Sequence, residues 1–227
     1  MTLRPDNAII PAAGPRHRHA RAFSLIELLV VMAIIGLLVS LSTLGLRGTI
    51  RTQTLSGSAS QMAADLDLAA LQAARENRPV EVFLYEFTPD DVPAEPGVRA
   101  YQFAVLDGFD DNGRPVYRFL TEVRRLAAGV VLEPDPRFTS LMHLAARPGI
   151  DQHGGGVTED HSVRGYQIRP DGTTTLSQIR PDGTRGANRL DHFITLVYQT
   201  DPVADRGLPR DFRTVVINPL NARARVY

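Results

Sequence analysis

Between Ala22 and Leu46 a single ionisable side chain, Glu27, interrupts an otherwise uncharged stretch. The residues behind it, LLVVMAIIGLLVSLSTLGL (28–46), approach the ~20 residues that carry a helix across a ~30 Å hydrocarbon core. Arg16, Arg18 and Arg21 precede the run, so the positive-inside bias keeps the N-terminus cytoplasmic and places everything after Leu46 on the far side. The chain is therefore expected to begin with a membrane helix and to fold its remaining residues outside the cytoplasm. A cleaved secretory signal shares this basic-then-apolar plan, with Ser40 and Ser42 as small residues ahead of a cut, and so does an uncleaved single-pass anchor. Neither accounts for Glu27, because an acid inside a membrane helix costs about 2.5–3.5 kcal/mol near the centre, less near an end, and is normally paired or functional.

At 227 residues, 43% of them hydrophobic, the chain has room for one globular domain with a real core plus this extension. Its 25 basic and 25 acidic side chains cancel, so no overall field steers it toward nucleic acid. It has no cysteine, which excludes disulfides, thiolate metal sites and cysteine nucleophiles.

The stretch AFSLIELLVVMAIIGLL (22–38) resembles the N-terminal signature of type IV pilins and pseudopilins, with Phe23, Ser24, Leu25, Ile26, Glu27 and Leu28 in the family's order. The resemblance implies that a prepilin peptidase cuts between Ala22 and Phe23 and methylates the new amine of Phe23. It implies too that Glu27, fifth in the mature chain, pairs with the N-terminal amine of a neighbouring subunit. A low-dielectric helix bundle strengthens such a pair. The family usually carries Gly before the cut, where this chain has Ala22.

Past the apolar run, Leu55, Ala59, Met62, Leu66, Ala70 and Ala73 recur at steps of three and four, the spacing of one helix face. Asn77 and Pro79 stop the pattern. One helix from Phe23 to Asn77 would be about 80 Å long at the α-helical rise. Gly45, Gly48 and Gly57 weaken it near the membrane exit.

Strand patterns take over at VEVFLYE (80–86) and continue through RAYQFAVL (99–106), VYRFLTEV (116–123) and GVVLEP (129–134). VRGYQIRP, TTTLSQI, HFITLVYQ, FRTVVINP and ARARVY form a second group, and IRPDGT occurs twice, at 168–173 and 179–184, as two turns of a meander. The expected fold is α+β: a long N-terminal transmembrane helix packed on a mainly antiparallel β-sheet, pilin-like. The expected organisation is a leader over 1–22, a membrane or filament-core helix over 23–46, its amphipathic continuation over 47–78 and a β-rich extracytoplasmic domain over 79–227.

LDLAALQAARENRPVEVFL, LAAGVVLE, YQIRPDGT and FRTVVINPLNARARVY are similar to the minor pseudopilin H of type II secretion systems and to FimT-like minor pilins, and the ending also resembles Verru-Chthon cassette D-type proteins. That implies a subunit of a type II secretion-like pseudopilus serving protein export. Its partners would be other pseudopilins or pilins through the N-terminal helix, the prepilin peptidase and an inner-membrane assembly platform. Its place would be the bacterial cytoplasmic membrane, single-pass, with the C-terminal domain periplasmic. A FimT-like pilus subunit and a membrane-anchored binding domain that never polymerises are the alternatives.

No catalytic constellation emerges, so an enzyme is not expected, and neither is a cofactor. Asp151, His153, Glu159, Asp160 and His161 crowd the loop DQHGGGVTEDH, but at no helix-borne ligand spacing; the loop reads as a solvated excursion rather than a metal site. DGFDDNGRP (107–115) offers oxygen ligands from Asp107, Asp110, Asp111 and Asn112 ahead of Gly113, yet lacks the spacing and distal Glu of a calcium loop, and reads as a hairpin. Arg206, Arg210, Arg213, Arg223 and Arg225 could meet phosphates, but Asp205 and Asp211 interleave with them, so nucleic acid is not an expected partner.

Overall fold

The computed structural model describes residues 24–89, 95–148, 157, 160–201 and 207–227, with the side chains of 39 and 41–47 outside that description. The chain divides into two compact units, Met1–Leu46 and Arg47–Tyr227, and a helix α1, Leu25–Glu76, has residues in both.

In the second unit α1 buries Leu55, Ala59, Met62, Leu66 and Ala73, each 2% exposed or less. Ala69 completes this face, while Ala70, expected there from the spacing, is only partly buried at its margin. The helix stops where the sequence says: Asn77 turns left-handed at φ 51°, and the Arg78 amide donates back to the Ala73 carbonyl at 3.2 Å.

The β-region pairs only antiparallel among the described residues, but as two sheets rather than the single one expected. The first is built from β1 (Val80–Phe87), β2 (Gly97–Phe109), β3 (Pro115–Phe119), β4 (Arg124–Arg125), β6 (Arg147–Pro148) and β7 (His161–Ile168), in the order β3-β2-β1-β7-β6 with β4 also on β2. The second is β10-β9-β8-β5, from β5 (Val130–Leu132), β8 (His192–Tyr198), β9 (Phe212–Ile217) and β10 (Ala224–Val226).

Period-two alternation sorts the side chains of the first sheet. Val80, Val82, Leu84, Tyr101, Phe103 and Val105 join the core that holds the helix residues and the second sheet's Ile194, Leu196, Val215 and Ile217. Phe83, Tyr85, Phe87, Ala100, Ala104 and Val163 form a separate cluster on the opposite face. Burying a Leu or Met of the helix face stabilises the unit by about 1.5–3 kcal/mol.

Polar contacts fix how the helix lies on the sheets. Asp65, 6% exposed, accepts the Tyr101 hydroxyl at 2.8 Å and the Gln61 amide at 2.8 Å. Arg51 pairs with Asp201 at 2.6 Å and stacks its guanidinium 4.3 Å from the Tyr198 ring centre. Asp67 accepts the Ala224 amide at 3.2 Å, occupying a donor on the edge strand β10.

Two strand expectations fail. TTTLSQI is not a strand; Thr175–Gln178 is a 3-10 turn that buries Leu176. Thr174 gives both its amide and its hydroxyl to the Pro219 carbonyl, and the Ser177 and Ile179 amides close back on Thr174 and Leu176, so these donors turn the chain instead of joining a ladder. The 116–123 run likewise ends at Phe119, where Gln102 takes the Thr121 carbonyl at 2.8 Å. The duplicated IRPDGT segments do form twin turns. In each, Gly donates to the Arg carbonyl three residues back and Asp accepts the Thr amide at 2.9 Å. Gly172 and Gly183 hold φ 82° and 84°. The turns flank the 3-10 segment and close single bridges, Ile168 to Thr174 and Ile179 to Arg185, instead of joining meander strands.

Candidate assembly site

The start of α1 is set by its own sequence. Ser24 stands just before the helix and accepts the Glu27 amide on both its carbonyl, at 3.0 Å, and its hydroxyl, at 3.2 Å, while Leu28 donates to the same carbonyl at 3.2 Å. Ser24-Leu25-Ile26-Glu27 thus has the Ser-x-x-Glu spacing of a capping box, and the Glu27 carboxylate sits in the first turn, where the helix dipole favours negative charge. This local role of Glu27 was not drawn from the sequence, although the spacing was there to read.

Past the cap the surface is apolar on every side. Eleven side chains from Leu25 to Leu38 are exposed by 44–83%, and they follow one another too closely to define a single face. A helix that is hydrophobic all round belongs inside lipid or inside a bundle of other helices. Among the described residues no helix is long and apolar enough to cross a membrane. The stretch with described side chains runs only from Leu25 to Leu38, and the remainder of the apolar sequence, to Leu46, passes mostly through positions whose side chains lie outside the description.

Residues 17–43 match the family model described as the prokaryotic N-terminal methylation motif. The chain carries a type IV pilin-like N-terminus. The match spans Arg18 and Arg21, the Ala22–Phe23 junction, Glu27 and most of the apolar run, and it carries with it processing by a prepilin peptidase and assembly with other pilins. No curated protein and no solved structure matches the chain.

Of the residues assigned to processing, Ala22 and Phe23 lie outside the described residues. Glu27 is exposed at the head of the apolar segment. The 151–161 loop is outside the description except for Val157, Asp160 and His161. The 107–115 segment is a hairpin between β2 and β3, as expected. Asp110 Oδ1 accepts the Asn112 amide at 2.9 Å and the Arg114 amide at 2.7 Å, which shapes the loop. Among the described residues no three His, Asp or Glu side chains are grouped so as to hold a metal ion. The C-terminal arginines do not form one set. Arg206 is outside the description, Arg213 donates to the Ser56 hydroxyl and the Phe212 carbonyl, and Arg210, Arg223 and Arg225 are exposed.

Proposed function

We propose that this chain is a non-catalytic filament subunit of the pseudopilin type, held in the bacterial cytoplasmic membrane through residues 23–46 with its β-rich domain on the periplasmic side. Prepilin peptidase cuts between Ala22 and Phe23 and methylates Phe23. Glu27 then pairs with the Phe23 amine of a neighbouring subunit while the apolar helices pack together. The observation that carries this reading is the methylation motif lying on a capped helix with no polar face. Such a helix has no stable place in water, and among the described residues no salt bridge engages its one carboxylate.

Within that class we assign the chain to the minor subunits of a type II secretion-like pseudopilus, seated on an inner-membrane platform. The similarity of its helix-to-strand segment and its closing strands to pseudopilin H supports this. A FimT-like minor pilin of a type IV pilus is the neighbouring possibility.

The test is incorporation. Glu27→Ala should leave the amount of chain in the membrane unchanged and abolish its recovery in sheared filaments, and Glu27→Gln should do the same if charge is what counts. Normal recovery of both variants would remove Glu27 from assembly and leave it the local role at the helix start.

A further inference from the structure

The first sheet's outer face is only half covered. Its aromatic cluster occupies the end around Phe83, Tyr85 and Phe87, and the other end opens into a cleft of about 560 Å³, within the range of small-ligand sites. On the floor Glu81 and Gln167 face each other across β1 and β7, and Gln167 donates its amide to the Glu81 carboxylate at 2.6 Å. Gly165 keeps the floor open, since a Cβ there would lie 3.0 Å from the Val82 carbonyl and fill the space above it.

The near wall is aromatic and braced. Tyr117 meets the Phe83 ring edge-on, 5.1 Å between centres, and Phe109 stands beside it, 66% exposed. The far wall consists of His143 and the second Pro-Asp-Gly turn with Arg185, packed so closely that a side chain at Gly183 would meet the His143 ring at 2.7 Å.

A buried histidine ties both parts of the far wall to β8. His192, 1% exposed, donates from Nε2 to the Ile179 carbonyl at 2.8 Å, at the start of the second turn, which leaves Nδ1 to accept the Ser140 hydroxyl at 3.1 Å, at the start of the 3-10 turn that bears His143. The cleft is thus preformed rather than a gap between mobile loops.

We propose that this cleft binds a neutral oligosaccharide. Flat aromatic rings offer an apolar platform to the carbon faces of a sugar ring, and the planar ends of Glu81, Gln167 and Arg185 offer the mix of acceptors and donors that ring hydroxyls need. The lining carries one carboxylate, Glu81, and one guanidinium, Arg185, so neither sign of fixed charge dominates it. The floor of the cleft is the side-chain face of the paired strands β1 and β7, so a peptide lying on it would gain no ladder hydrogen bonds from them. The proposal is independent of filament assembly.

The chain has no tryptophan, which gives a direct readout. Phe109→Trp, in the full chain held in a zwitterionic detergent without a sugar headgroup, places a single tryptophan, excited selectively over the six tyrosines, on the wall. Titration with cellotetraose, maltotetraose and chitotetraose should give a saturable fluorescence change with at least one of them. Adding Gln167→Ala, or separately the exposed Arg185→Ala, should weaken that binding about tenfold, the loss of one well-made polar contact. The idea is overturned if none of the three sugars saturates, if both added substitutions leave the affinity unchanged, or if only an extended Ser/Thr/Gly heptapeptide saturates.

Discussion

One helix contains two opposite solutions to the same problem. From Leu55 to Ala73 its apolar side chains point one way and are buried by the chain's own sheets; from Leu25 to Leu38 they point every way, and eleven of them stay 44–83% exposed. The difference lies in the periodicity. Apolar residues at steps of three and four leave a polar face for water, so a domain can bury them, whereas an unbroken apolar run has no side left to solvate. The second stretch completes its fold within the chain, and the first has to complete it with lipid or with other chains.

Separating the stretches should have the largest effect on this contrast. A chain starting at Arg47 should keep the cooperative unfolding of the β-domain and lose all membrane association; if it fails to fold, the two stretches are not independent. Next, Leu66→Ala should cost about 2–5 kcal/mol of unfolding free energy by opening a cavity under the helix. Leu29→Ala should change that quantity negligibly and show itself only in filament yield. Equal destabilisation by the two would break the contrast.

A smaller loss is expected from Asp65→Ala, about 1–3 kcal/mol in a denaturant titration, because the Tyr101 hydroxyl then stays buried without its acceptor.

Two buried groups should give the folded domain opposite pH responses. Burial pushes the His192 pKa below the usual histidine value, so the unfolded chain takes up the proton first and stability falls as pH drops through about 6.5. Burial pushes the Glu133 carboxyl up from the usual carboxylate value, and its Oε2 has no hydrogen-bond partner among the described residues. Its ionisation therefore lowers stability as pH rises through that raised value. Glu133→Gln should raise the melting temperature at pH 7.5 and bring no gain below about pH 4.3, where the carboxyl is neutral folded and unfolded alike. His192→Asn should be less stable at pH 7.5 but lose the drop in stability on acidification.

The smallest effect is expected at the cap. Ser24→Ala should fray the first turn at a cost of about 1 kcal/mol, read as lost amide protection at Glu27 and Leu28 with the β-domain unchanged.

The sequence revealed most where one periodicity ruled a long segment. The helix face and its stop at Asn77 follow from spacing, and the expected segments 80–86, 99–106, 163–170, 192–199, 212–219 and 222–227 overlap strands β1, β2, β7, β8, β9 and β10, with ends shifted by up to three residues. TTTLSQI misled because β-branched residues also suit a turn whose donors are taken by a distant carbonyl, here that of Pro219. The split into two sheets was illegible for the same reason: strand partners are chosen by long-range pairing, such as β5 with β8, and no local pattern encodes it. The methylation motif was legible because Phe23, Glu27 and the apolar run are contiguous. The cleft was not, since Glu81, Tyr117, Gln167 and Arg185 come from separate elements that only the fold brings together.

The most direct measurement is the intact mass of the chain purified from membranes of cells that contain a prepilin peptidase. A mass beginning at Phe23 with one added methyl group is the expected result, establishing Ala22 as an accepted cleavage position and freeing the amine that Glu27 is to meet. A mass that still includes residues 1–22 would contradict it, because the leader would block that pairing and the chain would be a membrane-anchored domain rather than a filament subunit.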